Sequence, residues 1–110
     1  MPDRPPRFSL EAKKQLAKLR LALETREITR SEYQIIADWL ENYVYLQLNT
    51  SPFSKFGSCA TRLYGTMTNP LVRTVSATHL PRMVRIVVTQ DEATQEVMIA
   101  DIVFMPPFGE

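Results

Sequence analysis

The interval at which apolar residues recur changes once along this chain, near residue 60, and that change limits the fold more than any other feature. Before it, Ala12, Leu16, Leu19 and Leu23 recur at three- and four-residue steps, and so do Tyr33, Ile36, Leu40, Tyr43 and Val44. That repeat is one face of an α-helix. After it, stretches 61–67, 71–78, 82–90 and 96–105 alternate or run apolar and are rich in Val, Ile and Thr. Those are strand residues at strand spacing. Helices first and strands afterwards predict an α+β fold, with an N-terminal helical hairpin packed on a three- or four-stranded antiparallel sheet.

Local signals place the element ends. Ser9 reads as an N-cap with Glu11 favourably set against the helix dipole, so the first helix starts at about Leu10 and ends near Glu24–Glu27. Thr29-Arg30-Ser31-Glu32 matches a capping box, with Ile28 and Tyr33 at the flanking staple positions, and starts the second helix. Its inner face should hold Tyr33, Ile36, Leu40, Tyr43, Val44 and Gln47, with Ala37 and Trp39 at the margins. The helix should stop before Asn49-Thr50-Ser51-Pro52. The connector between the two is short enough to require an antiparallel hairpin. Residues 49–60 read as a loop pinned to the core by Phe53 and Phe56, residues 2–7 as at best an edge strand, and Asp91–Gln95 as a turn.

At 110 residues with 45% hydrophobic content the chain is predicted to form one domain over residues 1–110. Cys59 is the sole cysteine and His79 the sole histidine, so a single chain has no internal disulfide, no multi-thiolate or multi-histidine metal site and no histidine pair. No cofactor is expected. The proline-rich start lacks the apolar stretch of a secretory signal and no run is long enough to cross a bilayer, which predicts a cytoplasmic protein without a membrane anchor.

Net charge is +1, too small for a general field that attracts nucleic acid, but it is unevenly spread. Segment 61–90 carries Arg62, Arg73, Arg82 and Arg85 and no acid. Arginines on adjacent strands could converge on a backbone phosphate, hold a partner's carboxylates, or stand scattered on the surface. Lys13, Lys14, Lys18 and Arg20 give the pattern of a solvated helix face, and Tyr33, Trp39, Tyr43 and Tyr45 that of core or interface. Nowhere does the sequence hold a phosphate-cradling glycine loop, a nucleophile elbow or a paired-carboxylate signature.

Two blocks carry a family resemblance. Arg7–Leu19, RFSLEAKKQLAKL, looks like an edge strand running into a first helix through the pattern F-S-x-E-A-x-K-x-L-x-x-L. Met83–Asp91 followed by Val97–Phe104 looks like the paired strands Y-R-I-x-Y-x-x-D and V-x-I-L-x-I. With the order of elements, these blocks resemble the RelE/ParE superfamily of toxin–antitoxin toxins, while residues 25–80 match in element order only. The resemblance implies a type II toxin that blocks translation by binding or cleaving mRNA in the ribosome, with a cognate antitoxin as partner. It casts Arg85 as the mid-strand arginine at the scissile phosphate and Arg73 as the cation on the preceding strand, the two catalytic candidates; Arg62 and Arg82, from the same acid-free segment, are the further candidates for nucleic-acid contact. Where ribonucleolytic members close on an arginine and a C-terminal tyrosine, this chain has Met105-Pro106-Pro107-Phe108, and phenylalanine cannot share a proton. The ParE-like branch inhibits DNA gyrase and needs none of these groups. The bihelical segment Leu19–Leu40 leaves a third class open, a noncatalytic binding module or phage-encoded inhibitor on the same scaffold.

Overall fold

The computed structural model describes residues 7–50, 53, 56–60 and 69–109, giving the backbone alone for 58–60, 69 and 70. A two-residue strand β1 (Arg7–Phe8) leads into helix α1 (Leu10–Glu24). Ser9 caps that helix, its Oγ accepting from the Ala12 amide at 3.0 Å, and the same hydroxyl donates to the carbonyl of Ala100. A tight turn with Arg26 at φ 64° reverses the chain. There the amides of Glu27 and Ile28 both donate to the Ala22 carbonyl, at 2.8 and 3.3 Å.

Helix α2 (Arg30–Trp39) opens on the expected capping box. The Thr29 hydroxyl accepts from the Glu32 amide at 3.1 Å, and the Thr29 amide donates to the Glu32 carboxylate at 2.9 Å. The helix does not keep its pitch. It widens into a π-helical segment, Leu40–Tyr45, before closing as α3 (Leu46–Thr50). A π turn advances each residue by a smaller angle than an α turn, so the faces rotate across it. Val44 stays buried and Tyr45 turns inward against Phe8, ring centroids 5.7 Å apart. Tyr43, expected on the inner face, is 44% exposed and stacks on Trp39 instead.

The remaining strands are β2 (Ser58–Ala60), β3 (Asn69–Ala77), β4 (Met83–Gln90) and β5 (Val97–Met105). They form one five-stranded sheet in the order β1-β5-β4-β3-β2. The α+β architecture is as the periodicity predicts. The sheet is larger than the expected three or four strands, because β1 adds to β5 in parallel and makes it mixed, and because β2 forms at the end of segment 49–60, which the sequence reads as a loop. The expected strand over 61–67 lies outside the described residues.

Helix α1 lies on β5, and the two helices cover one face of the sheet. Val84, Ile86 and Val88 of β4 meet Phe104, Ile102 and Ile99 of β5 there, and Ala77 of β3 joins them. Ile99 and Ile102 are an odd number of residues apart and would face opposite sides of a regular strand. A register shift opposite Val87 and Val88 inserts one residue, so both isoleucines reach the core. It also leaves the Ala100 carbonyl to the Ser9 hydroxyl, which couples the bulge to the start of α1. Phe56 is fully buried and Phe53 packs on the cluster, so the loop before β2 is pinned as expected. Among the described residues no helix is long and apolar enough to cross a membrane.

Candidate functional site

The face of the sheet turned away from the helices is the surface that the described elements leave open. Strand alternation and the pairings Ser76↔Arg85↔Val103 and Thr74↔Val87↔Asp101 define its centre. Val72 and Thr89 extend it at one end, and Met83 and Met105 at the other. Met105 is 50% exposed. Arg85 is exposed at the middle of the central strand β4. It forms no hydrogen bond or ion pair with another described residue. Asp101, diagonally across from it, accepts from the Ile102 amide at 2.9 Å.

Arg73 does not join Arg85. It pairs with Val88, a core residue, so its side chain leaves the helix-side face. Its Nε donates to the Phe56 carbonyl and its Nη2 to the Gly57 carbonyl at 3.3 Å. A convergence of the two catalytic candidates on one phosphate is therefore not what the sheet builds, because antiparallel register sets them on opposite sides.

Arg82, read from the sequence as a nucleic-acid contact, ties the C-terminal tail to the turn between α1 and α2 instead. Its guanidinium carbon lies 4.0 Å from the centre of the Phe108 ring. Its Nη1 donates to the carbonyls of Pro106 and, at 3.2 Å, Pro107, and its Nη2 pairs with the Glu27 carboxylate at 3.3 Å. Glu27 also accepts from the Gly109 amide at 3.1 Å. Phe108 is 2% exposed and packs on Phe104, ring centroids 4.9 Å apart. The phenylalanine near the C-terminus is thus a core side chain. Arg62 lies outside the described residues, as does the side chain of Cys59; His79 is exposed in the β3–β4 loop.

Apart from that face, a hollow of about 390 Å³ runs between α1 and α2 and its continuation, lined by Leu16, Leu19, Tyr33, Leu40 and Tyr45 with Arg20 and Glu41. Burial, with help from Glu41 and Tyr33, pushes the Tyr45 hydroxyl up to about 12, so it keeps its proton and cannot serve as a base near neutrality. Among the described residues no polar or charged side chain is buried. No local pattern points to the Glu27–Arg82–Phe108 cluster, whose members come from three separated segments. Comparison of the chain with family models, with curated proteins and with solved structures finds no match.

Proposed function

We propose that this chain is a type II toxin-like protein of the RelE/ParE kind that acts in the cytoplasm by binding its target, and that a cognate antitoxin neutralises it. The observation that carries the reading is Arg85. It is an exposed cation at mid-strand on the free face of a sheet whose other face carries a helical hairpin, in the element order the resemblance calls for. Binding is favoured over cleavage on geometric grounds. Cutting RNA through its 2′-hydroxyl needs a proton acceptor, a proton donor and charge at the phosphate brought to one point. Arg73 and Arg82 are held by backbone carbonyls elsewhere, and Phe108 has no proton to give. Ribosome-bound mRNA is the target the resemblance assigns to an arginine at this place. The same lack of convergence favours a second reading, inhibition of DNA gyrase, which requires no catalytic group.

Expression in the native host tests both, with growth, primer extension on cellular mRNA and a gyrase supercoiling assay in parallel. Growth arrest without codon-spaced cuts, relieved by Arg85→Ala, is the expected result. Codon-spaced cuts would overturn the binding reading, and blocked supercoiling would select the gyrase target. Harmless accumulation of folded protein would discard both toxin readings in favour of a noncatalytic module.

A further inference from the structure

The side chains of the open face bear on the chemistry of the partner that would contact it. We propose that this face takes a protein segment that presents a carboxylate flanked by apolar side chains, with Arg85 holding the carboxylate and Val87, Val103 and Met105 receiving the flanks. The inference rests on the open face being the contact surface.

Charge argues first. Arg85 stands there with Asp101 diagonally across, and Arg7, at the far edge beside Met98, is already paired with Glu96. Among the described residues the face therefore offers one cation without an ionic partner. Affinity for a nucleic acid backbone accumulates from several phosphate contacts, each releasing counterions, and one arginine beside an acid supplies little of that. Stacking argues next. Single-stranded RNA is gripped by aromatic platforms, and the aromatic side chains of the described strands, Phe8 and Phe104, both lie on the helix side. What surrounds Arg85 instead is Val87, Val103, Met83 and Met105, with the hydroxyls of Ser76 and Thr74 and the single carboxylate of Asp101, whose Oδ1 already accepts from the Ile102 amide.

A guanidinium set between apolar side chains, here Met83 and Val87 along its strand and Val103 across from it, is a common make-up of an energetic centre in a protein interface. Such side chains exclude water, which strengthens the charged contact, and the planar fork holds both oxygens of a carboxylate. Guanidinium is also weakly hydrated, so moving it into such a contact costs less than for an ammonium group.

The test uses the purified full chain and a phage-displayed library of random peptides, with a single-stranded RNA oligonucleotide as the competing probe. Peptides enriched on the wild type should share an Asp or Glu between apolar residues. Their affinity should fall about tenfold or more in Arg85→Ala and a few-fold in Met105→Gln, and Arg85→Glu should instead enrich peptides carrying Lys or Arg. Circular dichroism confirms that each variant is folded. Failure to enrich peptides, enrichment of peptides without acids, or equal binding to Arg85→Glu would overturn the proposal. So would RNA binding that is tighter than peptide binding and lost in Arg85→Ala. Because the measurement needs no cell, acid-selective binding by a protein harmless in its host leaves this inference standing and removes the toxin reading. Toxicity without such binding does the reverse.

Discussion

Arg73 and Arg85 occupy neighbouring antiparallel strands, yet Arg73 lies opposite Val88 on the helix side while Arg85 lies opposite Ser76 on the open side. One guanidinium is tied to the loop that precedes β2, and the other is left to solvent. The two arginines therefore differ in what they do for the fold: Arg73 ties a loop to the sheet, and Arg85 makes no such tie.

Their stabilities should divide accordingly. Arg73→Ala removes charge-assisted bonds to the carbonyls of Phe56 and Gly57 and should destabilise the protein by about 2 kcal/mol. Arg85→Ala should stay within about 0.5 kcal/mol of wild type. Urea denaturation measures both, and equal losses would mean that Arg85 has a structural role.

The Glu27–Arg82–Phe108 cluster should behave as a unit. Phe108→Ala should cost about 3 kcal/mol through the cavity it leaves against Phe104. Arg82→Ala should cost on the order of 2 kcal/mol, as it loses the ring contact and the tail carbonyls together. Since the Glu27 side chain is 33% exposed, Glu27→Ala should cost less, about 1 kcal/mol. A double-mutant cycle on Glu27 and Arg82 should return a coupling energy; additive losses would show that the ion pair contributes nothing.

Gly57 is required by space as well as by backbone angle. It sits at φ +51°, and a Cβ there would lie 2.1 Å from the Thr74 carbonyl oxygen. Gly57→Ala should therefore destabilise by roughly 2–4 kcal/mol. Gly109, at φ +80° with nothing within 4 Å, serves as the control, and its alanine variant should lose only about 1 kcal/mol. Similar thermal shifts for the two would exclude the clash.

Two carboxylates should give the fold an acid-side pH dependence. The Thr29 amide, aided by its hydroxyl, holds Glu32 below its ordinary 4.5, and the amides of Thr94 and Ala93 hold Asp91 below its ordinary 3.8. A lowered folded-state pKa stabilises above the unfolded value, and that stabilisation is lost as pH falls through the folded one. Melting temperature should hold near neutrality and drop below about pH 4.5. Glu32→Gln with Asp91→Asn keeps the acceptor oxygens and should flatten that drop; an unchanged slope would assign it to other groups. Separately, Thr29→Ala should cost about 1 kcal/mol at neutral pH through loss of the cap.

What the sequence determined by itself is whatever depends on neighbours along the chain. Ser9, the Thr29–Glu32 box and the turn at Asp91 act within three or four residues, and each is found where its local chemistry puts it. The alternation of Val and Ile similarly yields strands, and the change of period yields the α+β order. Tertiary structure decided what depends on register and phase. Residues Ile99 and Ile102 share the core only because a bulge shifts one strand by a residue, and Tyr43 faces out while Tyr45 faces in only because α2 widens at Leu40. The fates of the arginines belong to the same class. No local pattern tells which strand residue lies opposite which, so the faces of Arg73 and Arg85 were set by pairing across the sheet. Likewise Arg82 meets Glu27 and Phe108 only when three distant segments close on one another, since a side chain's partner is chosen by the packing that folding completes.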